Sequence, residues 1–106
     1  MTRGEVYRLK AERGARGHEL RGARYAVVVQ ADELAALSTV VVAPTSASSA
    51  SSWLRPEVRV EGTKTRVMVE HVKAVDLGRL GPVAGALSRA EMEEVDDALR
   101  LVLGLN

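Results

Sequence analysis

Residues 24–30, Arg24-Tyr25-Ala26-Val27-Val28-Val29-Gln30, carry three consecutive valines between a charged and a polar end. A run of β-branched side chains with no polar face suits a strand covered on both sides, so this segment predicts the central strand of a sheet. Five further Val-rich patches surround it: GEVYRLK at 4–10, TVVVAP at 39–44, PEVRV at 56–60, RVMVEHVKAV at 66–75 and PVAGAL at 82–87. Each is bounded by Gly, Pro, Ser or charge, the punctuation of strands rather than helices. In the first patch Val6, Arg8 and Lys10 alternate with Tyr7 and Leu9, which predicts a sheet with one wet face. Aromatic residues are only 3% of the chain and Phe is absent, so Val, Leu and Ala must fill the core and the strands must close tightly on one another. A small, strongly curved antiparallel sheet or barrel meets that requirement. At 106 residues the expectation is a single domain over 1–106.

The period changes after the last patch. Ser88-Arg89-Ala90-Glu91 reads as a capping box, with Ser88 bonded to the Glu91 amide and the Glu91 carboxylate reaching back. Met92, Val95, Leu99, Val102 and Leu103 follow at helical spacing, and Gly104 stands where a C-cap belongs. The tail is therefore an amphipathic helix packed on the sheet. Glu91, Glu93 and Glu94 lie near the positive end of its dipole, and this acidic run reads as a solvated structural face.

Composition removes several chemistries. Zero cysteine excludes disulfides, thiolate nucleophiles, iron–sulfur clusters and cysteine-ligated zinc, and two histidines, His18 and His71, do not make a His-rich metal site. The glycines spell no dinucleotide or P-loop fingerprint, so neither a nucleotide cofactor nor a metal is expected. No Ser-His-Asp set or nucleophile elbow is present, which disfavours serine hydrolase chemistry. No apolar run reaches the ~18 residues of a membrane span, and the N-terminal segment has no apolar h-region, so the expected compartment is the cytoplasm with no membrane partner. The net charge is only +1, yet residues 1–24 hold seven basic groups against three acidic ones, while residues 89–106 hold two against five. That asymmetry points to a polyanion near the N-terminal segment.

Two long loops carry the polar candidates. Residues 10–23 are basic and glycine-rich, and they place His18, Glu19 and Arg21 before Arg24 at the mouth of the central strand. A carboxylate paired with a guanidinium can take a proton from a hydroxyl while holding the charge of a phosphate oxygen, and can equally be an ordinary ion pair. Thr45 and Ser46 put two hydroxyls at the end of the third strand, suited to a phosphate or to turn backbone groups. Residues 45–53, TSASSASSW, form a Ser/Ala stretch ending in the only Trp, Trp53. In RVMVEHVKAVD, read as one strand over 66–76, His71 shares a face with Val67, Val69 and Lys73, which suggests a half-buried histidine.

Taken together, these segments resemble the MazF/PemK (Kid-like) family of toxin–antitoxin ribonucleases over essentially the whole chain. Arg3-Gly4-Glu5-Val6-Tyr7 is similar to the family's RGE(I/V)W first strand. Gly17-His18-Glu19 and then Gly22-Ala23-Arg24-Tyr25-Ala26-Val27-Val28-Val29-Gln30 look like its GSEQ and RPAVVVQ segments. Val40-Val41-Val42-Ala43-Pro44-Thr45-Ser46 is similar to VVVAPxT, and Glu70-His71-Val72-Lys73-Ala74-Val75-Asp76 to (D/E)Q(I/V)R(T/S)(I/V)D. Arg79-Leu80-Gly81 and the closing helix complete the ordered set. Three positions depart from it: Tyr25 replaces the usual Pro, His71 replaces Gln, and Ser46 takes the threonine position, with Thr45 one step earlier.

The resemblance implies an SH3-like barrel with a C-terminal helix, a homodimer, a small cognate antitoxin, and sequence-specific cleavage of single-stranded mRNA without metal. Family roles would fall on Glu19, Arg24 and the hydroxyl of Ser46 or Thr45, with RNA contacts near His71 and Lys73. His18, Arg21 and Trp53 join them as RNA-binding candidates, Trp53 either by stacking on a base or by capping the core or a dimer interface. Two other classes fit a barrel of this size: a protein-binding toxin similar to the CcdB gyrase poisons, acting through its last helix, and a noncatalytic SH3-like interaction module. The Glu19, Arg24 and Ser46 set favours the ribonuclease, since a gyrase poison has no reason to assemble those groups.

Overall fold

The computed structural model describes residues 1–10 and 24–105. The predicted central strand, β2 (Tyr25–Val28), pairs antiparallel with β1 (Glu5–Leu9) on one side and β3 (Thr39–Ser46) on the other. β3 pairs in turn with β5 (Thr63–Val67) and β6 (Lys73–Asp76). β4 (Glu57–Val60) lies outside β5, and β7 (Leu80–Ala86) lies outside β1. The strand path is β4-β5-β3-β2-β1-β7 with β6 also on β3, an antiparallel half-barrel backed by one helix, α1 (Arg89–Leu103).

The sheet is buried on both sides. One face carries Val6, Val27, Val29, Ala43, Val58, Val60 and Val67, packed with Val95, Ala98 and Leu99 of α1. The other carries Ala26, Val28, Val40, Val42 and Val75, with Tyr7, Leu9 and Leu80 packed against them. The expectation of one wet face on β1 is therefore corrected: Val6 is buried on one side, Tyr7 and Leu9 are partly buried on the other, and only Arg8 and Lys10 stand exposed. The Phe-free composition has its consequence here, because small β-branched side chains fill two thin layers.

The stretch 66–76 is not one strand. The β3–β5 ladder sets Thr45 opposite Val67, and the β3–β6 ladder sets Val42 opposite Lys73. Two residues of β3 between these pairs thus face five on the returning chain, and the surplus is taken up by a 3-10 turn over Val69–His71. The turn ends the alternation and leaves His71 exposed, where a continuous strand would have half-buried it. The alternation of Val67, Val69 and His71 mimics a strand period that the backbone does not follow.

β4 and β5 form a hairpin closed by Glu61-Gly62, with Val60 paired to Thr63. Both turn residues have positive φ, 52° and 80°. That is the signature of a type I′ turn, which favours Asn or Gly at its first position. β3 runs on through Thr45 and Ser46, so the Ser-rich loop begins at Ala47 rather than at residue 45. Arg55 fastens that loop, since its guanidinium meets Glu70 Oε2 at 2.7 Å on the 3-10 turn.

The capping box of α1 forms as predicted, with Glu91 N–H donating to Ser88 Oγ and Ser88 N–H to Glu91 Oε1. Glu91 Oε2 also accepts from the Arg59 backbone amide at 2.9 Å, meeting an edge donor of β4. Gly104 ends the helix in the left-handed conformation. Leu103, placed on the apolar face by its spacing, is 53% exposed, and Ala98 takes the buried position instead. Among the described residues no helix is long and apolar enough to cross a membrane.

The N-terminal Arg3-Gly4 pair joins these parts. Gly4 has φ +94°, its amide donates to Val28 O, and a Cβ there would sit 3.3 Å from Met92 Cγ of α1. Arg3 donates to Val29 O through Nε at 2.8 Å and to Asp96 Oδ1 through Nη2 at 2.6 Å.

Two outcomes test this account. Gly4→Ala combines a left-handed L-residue with a crowded methyl, and urea unfolding is expected to show a loss of at least about 1–2 kcal/mol. The Glu70 carboxyl is pushed up by burial, but hydrogen bonds from the Arg55 guanidinium and its own backbone amide prevail and hold it below its ordinary value. A lowered folded pKa stabilises above the unfolded pKa and loses that contribution as pH falls through the folded one. The melting-temperature gap between wild type and Glu70→Gln is thus expected to be steady at neutral pH and to close in the acidic carboxylate range. As a surface pair it is worth about 0.2–1 kcal/mol.

Candidate functional site

The β2–β3 ladder sets Val28 opposite Val42, Val27 opposite Ala43 and Ala26 opposite Pro44. The ladder pairs end there; the same register carried two steps further would set Arg24, just before β2, across from Ser46, the last residue of β3. On the other flank Leu9 N–H donates to Arg24 O at 2.9 Å, continuing the β1–β2 pairing past Arg8 and Tyr25. Directly paired residues share a face, and alternate residues along a strand return to it. Arg24 and Ser46 therefore lie on the face of Ala26, Val28, Val42 and Pro44, where Arg24 is exposed and Ser46 half-buried. The Ser46 hydroxyl lies 3.4 Å from Ser48 Oγ, and its carbonyl accepts from Ser49 Oγ at 3.2 Å.

Thr45 has the opposite parity. By strand alternation it shares the face of Ala43 and is only 4% exposed, whereas Ser46 is half-buried.

Lys73 pairs with Val42, which puts it on the Arg24–Ser46 face and exposes its ammonium. Four residue steps along β3 lead from Val42 to Ser46, ~13 Å at the usual rise. The three polar groups thus mark a strip rather than one point. The Arg55–Glu70 pair ties the loop that carries Trp53 to the turn that carries His71. Trp53 is 73% exposed, which overturns the reading that it caps the core; Leu54 packs there instead. His18, Glu19 and Arg21 lie outside the described residues.

Two arrangements escape a reading of sequence. Arg79 donates to Lys10 O through Nη2 at 2.7 Å and Nε at 3.2 Å, while Lys10 N–H donates to Arg79 O at 2.8 Å, so the last residue of the β1 stem is clasped from β7's leading turn. Glu61 accepts from Arg8 and from the Tyr25 hydroxyl. Both join residues more than thirty positions apart, and the only local sign of the second is a Glu where a tight turn favours Asn or Gly. Among the described residues no group of three or more His, Asp and Glu gathers as a metal site would require.

Comparison with known proteins bears on the family and the fold. Residues 2–103 match the family described as the PemK-like, MazF-like toxin of type II toxin–antitoxin systems. A protein of Mycobacterium tuberculosis H37Rv described as a toxin is 40% identical over 106 residues, covering 99% of either chain. Among solved structures, a mycobacterial endoribonuclease in complex with its cognate antitoxin superposes with a TM-score of 0.81 at 19% identity, over 100% of this chain and 97% of that one. A MazE–MazF complex from Deinococcus radiodurans gives 0.82 at 17% identity, over 100% and 98%. With the family match spanning nearly its whole length and a 40% identical relative of the same size, the chain belongs to the PemK-like, MazF-like toxins of type II toxin–antitoxin systems.

Proposed function

We propose that the protein is a sequence-specific endoribonuclease toxin that cuts single-stranded RNA through the RNA's own 2′-hydroxyl, requires no metal, acts as a homodimer and is neutralised by a cognate antitoxin. The observation that supports this reading is the β2–β3 register, which runs to Ala26 opposite Pro44 and, carried two residues further, puts Arg24 and Ser46 on one face and Thr45 on the other. A gyrase poison or a noncatalytic barrel has no use for that pairing. The mycobacterial endoribonuclease and the Deinococcus toxin, each solved with its antitoxin, share the fold.

The chemistry follows from RNA itself. The 2′-oxygen attacks the adjacent phosphorus in line, its proton passes to a base, the P–O5′ bond breaks and the leaving 5′-oxygen takes up a proton. The products are a 2′,3′-cyclic phosphate and a 5′-hydroxyl. Glu19 is the base the sequence offers, with His18 the alternative. Arg24 places a planar fork of donors against the charge that grows on the nonbridging oxygens. Ser46 holds one of those oxygens from the facing strand. Lys73 takes a neighbouring phosphate along the strip, and Trp53 offers an exposed indole for an unstacked base. Arg21 and His71 add positive charge or hydrogen bonds at the margins.

Incubation with a long mixed-sequence RNA in EDTA is expected to give discrete cuts ending in cyclic phosphates. Arg24→Ala is expected to lower the single-turnover rate by at least about 10²-fold, the scale of one lost oxyanion donor. Ser46→Ala is expected to lower it about tenfold, and Thr45→Ala to reduce stability while sparing the rate. Intact RNA across diverse transcripts, from folded protein, overturns the ribonuclease reading and redirects the search to a protein target. Binding to a 2′-deoxy-substituted RNA is expected to weaken with salt, and Lys73→Ala to flatten the log–log slope by about 0.7. Trp53→Ala is expected to weaken the same binding by about 1–3 kcal/mol without changing the slope.

A further inference from the structure

Glu61 occupies a position that its own backbone does not favour. It is the first residue of a two-residue hairpin turn, its φ is +52°, and it is the only non-glycine residue with positive φ among those described. Asn or Gly serves such a turn better, because a longer side chain brings only the steric penalty of the left-handed region. What Glu supplies is reach. Its Oε1 accepts from Arg8 Nη2 at 2.6 Å and from the Tyr25 hydroxyl at 2.7 Å. Arg8 and Tyr25 are paired across β1 and β2, and the Arg8 guanidinium stands 5.3 Å from the centre of the Tyr25 ring. The tip of the β4–β5 hairpin is thereby bound to the first residue of β2.

That residue is joined by one peptide bond to Arg24. Tyr25 projects from the face opposite to Arg24, so its ring and hydroxyl anchor the strand end from behind while the Arg24 side chain remains exposed. The position is also where this chain departs from the pattern it resembles, with a tyrosine in place of a proline whose ring would stiffen the backbone directly. We propose that Tyr25 and Glu61, with Arg8, are positioning residues that hold Arg24 in register with Ser46: a hydrogen-bonded tether performs the restraint that a proline ring would impose. This rests on the assignment of Arg24 to the chemistry, and goes beyond it by naming what sets its geometry. Misplacing a charge-stabilising group by about 1 Å can slow a reaction by ~10² even when substrate binding survives.

The test uses full-length protein and an RNA that the wild type is first shown to cut. Tyr25→Phe removes one oxygen and keeps the ring over Arg8. Its single-turnover rate is expected to fall about tenfold while affinity for the 2′-deoxy-substituted RNA stays within about twofold of wild type. Glu61→Ala is expected to match it, and Glu61→Gln, which keeps a carbonyl acceptor for Tyr25, to recover most of the rate. In an Arg24→Lys background, slowed but measurable, Tyr25→Phe is expected to lose most of its effect, because the tether acts through that side chain. Circular dichroism melting checks that every variant is folded at the assay temperature, and the Gln and Ala pair serves if Tyr25→Phe is not. Wild-type rates in Tyr25→Phe and Glu61→Ala, or losses that multiply unchanged in the Arg24→Lys background, overturn the positioning role while leaving the ribonuclease reading intact. A wild type that cuts no RNA removes that reading itself.

Discussion

Val27 and Val28 of β2 lie opposite Ala43 and Val42 of β3, and a slip of one residue in this pairing would send every side chain of the two strands to the other face. Both faces are packed, so such a slip is resisted from both sides at once. One layer fits Val27, Val29 and Ala43 against α1, and the other fits Ala26, Val28, Val40 and Val42 against β6 and β7. The same register decides which polar groups emerge at the strand ends. With the valines seated, Arg24 and Ser46 fall on one face, and Thr45 falls on the other beside Tyr25. Packing in the middle of the sheet thus decides which side chains share a face at its edge.

The absence of Phe shapes the rest. Valine side chains reach only a short distance from the sheet, so a single flat layer of them would leave space beneath a helix. Curling the sheet brings β4 and β5 over Val6 and Val27, and α1 closes the layer with Val95, Ala98 and Leu99. The free edge of β4 is then met by Glu91, whose two carboxylate oxygens serve the helix cap and the Arg59 amide together. Arg3 joins Val29 to Asp96, so the start of the chain, the central strand and the helix share one anchor.

Much of this is legible in the sequence because it is local. The capping box at Ser88, the left-handed Gly104 and the valine run of β2 each depend on residues within a few positions of one another. The 3-10 turn at Val69–His71 is hidden for the opposite reason: its alternating Val and His copy a strand period, and only the unequal lengths of β3 and its returning partner demand an interruption. The choice between Ser46 and Thr45 is likewise invisible to spacing, since adjacent hydroxyls differ only in which face their strand gives them. Trp53 is ambiguous in sequence because an indole suits a core and an open surface equally well.

Arg24 and Tyr25 show how close those two outcomes lie. They are neighbours in sequence, yet the Arg24 side chain is exposed while that of Tyr25 is bound to Arg8 and Glu61. Strand alternation makes this separation automatic: whatever fixes the second residue fixes the backbone of the first without touching its side chain. A group that must meet a substrate needs its donors unoccupied, and a group that must not move needs its donors engaged. One residue cannot satisfy both demands. Two successive residues of a strand can, and the unfavoured turn conformation of Glu61 is the local cost of dividing the work between them.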